Sequence, residues 1–411
     1  GVGDDRNGAL IELAEPLDLL ASSAPLRVEL LCASAMIVSL TGGGSAAERL
    51  IQTAEREHHD VGSVRTEAVW LAARAIVSAV DGRPPEAFLD DAERSLLLAR
   101  SADDPILLAI AYQAVLRLAY ASGDLCRVDS ILEPLATASG RALLPFGVVR
   151  RHLCQVTNAI ARGQLDDARA LIAETREVGQ RFRTNSVDGA SASQELLLEL
   201  ELDELGQRGD MLDAAAAMNP QSQAIMIAAL ARPHDEHAHA RLVSGIADLP
   251  HNDSRPAVLA LTALAAADRR DALLGQRCVN ELEPLGERTI AVGFGSVVVG
   301  PASLFTGVAR LAVGQLDRAR ILLERAVRSS IESTGRLWEG HARLWLAETL
   351  LERRAEGDVD RAVSQIDTVT AFGFSEQWRI GRHATLLCDA IADDVSPAVL
   401  RDRRRDVRTP A

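Results

Sequence analysis

The chain has 411 residues, 47% hydrophobic and only 3% aromatic, with 44 basic residues against 58 acidic ones for a net charge of −14. All 44 basic residues are arginine; this excludes a P-loop and Schiff-base chemistry from the segment, because the first needs a lysine to reach the phosphates and the second needs an amine. The acidic balance argues against a nucleic-acid grip by this segment alone, since phosphates are held by an excess of cationic side chains.

In chain order, residues 1–8 (GVGDDRNG) begin on Gly rather than Met and read as a cut inside a longer chain, the remainder of which carries the catalytic or DNA-binding half. From there a turn signature recurs at Gly44, Gly82, Gly123, Gly163, Gly209, Asp268 (which lacks the Gly), Gly314 and Gly357. The period is about forty residues, with one longer interval between 209 and 268. Two copies are close in wording: IARGQLDDARALIAETREVG at 160–179 and LAVGQLDRARILLERAVRSS at 311–330. Self-similarity at such a period signals a repeat array. Each unit reads as helix, short turn, helix, with Gly as a left-handed cap on the first helix and a neighbouring Asp capping the second. One unit cannot bury its apolar stripe alone, so units must stack. The expected fold is all-α, a right-handed superhelix of tetratricopeptide-like helix-turn-helix repeats over 1–395, more than about 60% helical.

Several segments carry weaker signals. The five cysteines (Cys32, Cys126, Cys154, Cys278, Cys388) form no C-x-x-C pair and read as reduced core residues, which points to the cytoplasm. No signal peptide or run of eighteen apolar residues is legible, so no membrane partner is expected. Pro, His and Asp accumulate over 232–256, a place where the superhelix can change direction. Within it His234, His237 and His239 have the residue type of a metal site, but spacings of three and two do not share one helical face, and a solvated loop is the reading preferred. His58 and His59 read as surface residues between helices. Gly293-Phe294-Gly295 opens like a dinucleotide fingerprint, but the third Gly comes late and the match fails. The basic tail at 396–411 interleaves Asp with Arg and reads as a solvated end.

Near the C-terminus, 336–354 (RLWEGHARLWLAETLLERR) places Ala342, Trp345, Leu346, Thr349 and Leu350 on one face and Arg343, Glu348, Glu352 and Arg353 on the other. Its partner helix carries Val359, Ala362, Val363, Ile366 and Val369 at the same spacing. The run Gly314-Gln315-Leu316-Asp317-x-Ala319, then Trp338 through Arg343, Leu346-Ala347, Leu350-Leu351 and Arg354, then Gly357-Asp358-x-Asp360-Arg361-Ala362, resembles the C-terminal tetratricopeptide-like half of actinobacterial STAND ATPases, including the large LuxR-type, MalT-like transcriptional regulators. The resemblance covers about the last 150 residues in motif and the rest only in helical-repeat style. It implies an inducer-sensing domain that acts on an intramolecular ATPase module elsewhere in the protein. ATP and Mg would belong to that module, and this segment itself would have no cofactor and no enzymatic activity.

Three of the four tryptophans, Trp338, Trp345 and Trp378, crowd into this region, with Phe294 and Phe305 upstream and Phe372 and Phe374 in the following turn. Flat apolar faces beside Glu339, His341, Arg343 and Arg379 suit a small saccharide such as a disaccharide, because ligand pockets combine apolar walls with a few polar groups. Trp345 reads as core from its helical spacing; Trp338 and Trp378 sit near helix starts, where either role is open. The glycine-rich segment 291–301 reads equally as a loop closing over a ligand or as a long inter-repeat turn. The alternative function is a protein- or peptide-binding tetratricopeptide scaffold, whose contacts would spread over several repeats.

Overall fold

Two kinds of helix alternate along the chain, and burial tells them apart. The structure is a computed structural model that describes residues 19–21, 24–182, 186–204, 236–247, 249 and 251–393. Helix accounts for 81% of what it describes. In chain order α1 (Pro25–Leu40) precedes α2 (Gly44–Val61), α3 (Val64–Val80) precedes α4 (Leu89–Ala102), α5 (Pro105–Ser122) precedes α6 (Leu125–Arg141), and α7 (Pro145–Ala161) precedes α8 (Leu165–Phe182). Then come α9 (Ser186–Leu202), α10 (Glu236–Ala247), α11 (Arg255–Arg269) and α12 (Ala272–Leu282). A hairpin of β1 (Thr289–Val292) and β2 (Val297–Pro301) leads into α13 (Ala302–Val313) and α14 (Leu316–Glu332), α15 (Arg336–Arg353) and α16 (Asp358–Thr370), and α17 (Arg379–Ala392).

The first helix of a pair is apolar almost all round and is buried accordingly, as α3 is from Ala68 to Ala73 and α15 from Leu344 to Leu350. The second buries a single stripe. In α2 this is Ala47, Ile51, Ala54 and His58, and in α14 it is Ala319, Leu323, Ala326, Val327 and Ser330. First helices stack on one another, α1 on α3 and α3 on α5, while second helices such as α2, α4 and α14 lie against both their own partner and the first helix of the next pair. This is the repeat logic expected: no pair closes its core without a neighbour.

The repeated turn has one hydrogen-bond pattern. Gly163 N–H donates to Ile160 O and Gln164 N–H to Ala159 O, each at 2.9 Å, and Gly314 and Gln315 donate to Leu311 O and Arg310 O at the same distances. Both glycines are left-handed, at φ +75° and +83°. The copy that lacks Gly keeps the turn: Arg270 takes φ +53° and Asp271 N–H donates to Ala266 O at 3.0 Å. An arginine in that conformation costs about 1 kcal/mol relative to Gly, and here its guanidinium is tied to Glu352. The expected Asp cap is present at two turns, with Asp124 Oδ1 accepting from Arg127 N–H at 2.8 Å and Asp271 Oδ1 from Leu274 N–H at 2.9 Å, but not at α14 or α16, whose N-caps are Gln315 and Gly357 without a side-chain cap. Gly44 and Gly357 are not C-caps: Gly44 opens α2, and Gly357 is the N-cap of α16, the left-handed end of α15 being Arg354 at φ +52°. Gly209 lies outside the described residues.

The chain divides into two compact units, one comprising 1–154 with 250–255 and 291–296, the other 155–249, 256–290 and 297–411. In the first, α5 is long and apolar enough to span a membrane, yet 72% of it is buried within the protein. It carries Arg117, whose Nη1 donates to Ala291 O (2.9 Å) and Gly293 O (2.6 Å) and whose Nη2 donates to Asp253 (2.5 Å). His58, expected at the surface, is buried: its ring stacks on Trp70 at 5.7 Å and its Nδ1 lies 2.9 Å from Thr66 Oγ1. Burial lowers its affinity for a proton below the ordinary value of 6.5, opposed by Glu67 and Glu55 and assisted by His59. The unfolded chain therefore takes up this proton first as pH falls, and the linked stability is lost from about pH 6.5 downward until the folded His58 itself titrates. Urea midpoints measured from pH 7.5 to 5 should fall, and His58→Gln should flatten that part of the slope; an unchanged slope would contradict it.

In the second unit, charges expected on solvent faces are partly interior. Glu348 is buried and accepts from His383 Nε2 at 3.0 Å, so the polar face of α15 is narrower than its charges suggest. Val359, expected on the apolar stripe of α16, is exposed, because the stripe begins with Ala362. Asp358 is fully buried and takes a bidentate contact from Arg353, which holds its carboxyl below the usual range. His237 and His239 lie in α10 rather than in a loop; His237 is exposed, and His239 Nε2 is 3.1 Å from Asp271, so the helix turns the two imidazoles apart. His234, the remaining part of 232–235 and the tail at 396–411 lie outside the described residues.

Candidate functional site

A helix that is apolar all round has more apolar surface than its own partner helix can cover. In the second unit the apolar faces of five helices, with β2 and the first residue of α17, line a pocket. Ile160 of α7, Leu197 and Leu200 of α9, Leu261 and Leu264 of α11 and Leu304 and Phe305 of α13 supply the aliphatic and phenyl walls. Val298 and Val299 of β2 close one side, and Leu337, Trp338, His341 and Trp345 of α15 the other. Arg379 opens α17, and Glu201 is the last polar side chain of α9 on this face. The cavity volume is about 50 Å³.

Positions 338, 341 and 345 meet in the pocket because at 3.6 residues per turn they fall within about 60° of one another on α15. Trp338 is 3% exposed and is seated against backbone. Gly300, at φ +126°, brings β2 so near the indole that a Cβ there would stand 3.2 Å from Cδ1, and a side chain at Gly335 would collide with the six-membered ring. Trp345, 1% exposed, meets His383 edge to face at 5.3 Å between ring centres, and His383 is in turn fixed by Glu348. The polar end of the pocket is one carboxylate between two nitrogen-bearing side chains. His341 Nε2–H donates to Glu201 Oε2 at 2.7 Å and Arg379 Nη1–H to Oε1 at 3.3 Å. A half-buried carboxylate gains from such partners, since partial desolvation disfavours the charge.

Of the side chains expected at a ligand site, Trp338, His341, Phe305 and Arg379 line this pocket, and Trp345 joins them. Glu339 and Arg343 do not. They lie about 100–140° round the helix from Trp338 and bind each other at 2.7 Å, with Arg343 also donating to Gln365 at 2.6 Å. Trp378 packs on Phe374, 6.0 Å between ring centres, outside the lining. Phe294 belongs to the first unit, beneath the Arg150 guanidinium at 5.1 Å. The glycine-rich segment is neither a lid nor a plain turn but a β-hairpin, and the first N–H of α13 is used by Arg288 O at 2.8 Å rather than left for a ligand.

Glu201 was not legible as a partner of His341, being 140 residues away. The signal was present, however, in Leu196-Leu197-Leu198-Glu199-Leu200-Glu201-Leu202, where carboxylates interrupt an apolar run that must be buried. Among the described residues no group of three or more His, Cys, Asp or Glu side chains is arranged to hold a metal ion. Comparison with known protein families finds no model that matches the chain, and comparison with curated proteins finds no significant relative.

Proposed function

We propose that this chain is the inducer-sensing domain of a STAND-type, LuxR-family transcriptional regulator, and that a small molecule bound in the Trp338 pocket relieves autoinhibition of an ATPase module elsewhere in the protein. The observation that carries the sensing part is the pocket itself: aromatic and aliphatic walls from five helices and β2 converge on one polar cluster, the composition of a ligand site. The regulator assignment rests on the C-terminal repeat wording. Because the walls come from helices spread over more than two hundred residues, a ligand that fills the pocket ties several repeats together, and a change in their packing is what a linked module can read. In this reading the segment acts in the cytoplasm by binding and not by catalysis, and alone it neither hydrolyses ATP nor grips duplex DNA.

A disaccharide, the saccharide suggested by the tryptophans, carries many hydroxyls, each needing a partner once buried. Three polar side chains already engaged with one another offer few, and at about 50 Å³ the pocket would have to widen to admit it. The geometry therefore favours a smaller and more apolar inducer. The test is a thermal-shift screen of small apolar molecules and disaccharides on the protein, since a ligand of the folded state raises its apparent stability. A shift that is lost in Trp338→Ala supports the reading. A shift produced only by a basic peptide would favour the scaffold alternative instead.

A further inference from the structure

The chemistry of the pocket's polar end selects the charge of its ligand, and we infer that the ligand is an uncharged, mostly apolar small molecule with one hydrogen-bonding group, such as an alcohol, amide or lactone. The inference rests on the small-molecule reading above and goes beyond it in naming the ligand class. Glu201 stands between His341 and Arg379, bonded to both at 2.7 and 3.3 Å. An incoming carboxylate that reached for Arg379 or His341 would meet the Glu201 carboxylate, and an incoming ammonium that reached for Glu201 would meet the Arg379 guanidinium. Leucine, valine and indole around the polar end reduce the screening by water, so each repulsion is stronger than the same pair would feel at the surface. A neutral group that both donates and accepts meets no such opposition: its hydrogen can go to a carboxylate lone pair and its oxygen can take a nitrogen-bound hydrogen.

The size limit follows from the same walls. A cavity of about 50 Å³ has room for roughly three to five waters at about 10–15 Å³ each, which corresponds to a short chain of a few heavy atoms; a ring enters only as the lining side chains turn to widen the pocket. The flat faces of Trp338 and Trp345 favour a ring.

Benzyl alcohol, benzoate and benzylamine share one skeleton and differ in the charge of the polar end, and calorimetric titration of each into the protein at pH 7.5 separates the possibilities. Benzyl alcohol is expected to bind saturably and at least about tenfold more tightly than either charged analogue. In Glu201→Gln, which keeps the shape and an acceptor but removes the negative charge, the preference should turn to benzoate, a reversal that a purely structural role for Glu201 would not produce. Benzoate or benzylamine binding as well as the alcohol to the wild-type protein would overturn the inference while leaving the pocket a ligand site. Binding by none of the three would overturn both.

Discussion

Replacing Arg117 by Leu is expected to destabilise the first unit by about 3–5 kcal/mol, the range for removing one partner of a buried ion pair. The side chains of Arg117 and Asp253 are 4% and 7% exposed. The guanidinium serves the Asp253 carboxylate and the carbonyls of Ala291 and Gly293, while Asp253 also accepts from Gly293 N–H. Leu fills much of the volume but donates nothing, so a carboxylate and two carbonyls lose a donor in a place water does not reach. The double variant Arg117→Leu/Asp253→Leu should recover part of the loss, because it removes the stranded charge as well. Equilibrium denaturation followed by circular dichroism measures both. A loss below about 1 kcal/mol for the single variant, the worth of an ordinary surface pair, would show that these loops are not held by this contact.

Trp345→Ala is expected to cost the second unit about 3–5 kcal/mol, as truncations of buried aromatic residues do when the surroundings close only partly over the gap. Trp345 is the largest fully buried side chain among the described residues and touches both the pocket and His383. The vacated volume is continuous with the pocket, which gives the variant a second property. Indole added to the solution should raise its unfolding midpoint more than that of the wild-type protein, since a ligand matched to the deleted side chain binds the folded state alone. Equal effects of indole on both proteins would mean that the gap had collapsed.

The repeats were legible because their signal is local: a left-handed turn recurs in one wording, and the apolar period repeats on either side. The turn at Arg270 departs from that wording and still keeps its geometry, which shows that the flanking helices impose the turn and the glycine only eases it. The pocket was legible in part. Trp338, His341 and Phe305 were found by type and spacing, while Glu339 and Arg343 were wrongly grouped with them because adjacent letters on a helix look outward in different directions. Glu201, Leu261 and Leu264 could not be found this way, since their place beside α15 depends on how distant repeats stack. The same holds for His58 and Glu348, whose burial is decided by partners on other helices.

Whether the Trp338 pocket holds the ligand is decided by calorimetric titration of benzyl alcohol into the wild-type protein and into Leu264→Phe, a substitution at the pocket wall that fills the cavity from α11 and leaves Glu201, His341 and Arg379 in place. Saturable binding to the wild type and at least about tenfold weaker binding to the filled variant are expected, with the helical signal unchanged, because the added ring takes the volume the ligand needs. Equal affinity in the two proteins would contradict this and move the ligand site away from the Trp338 pocket.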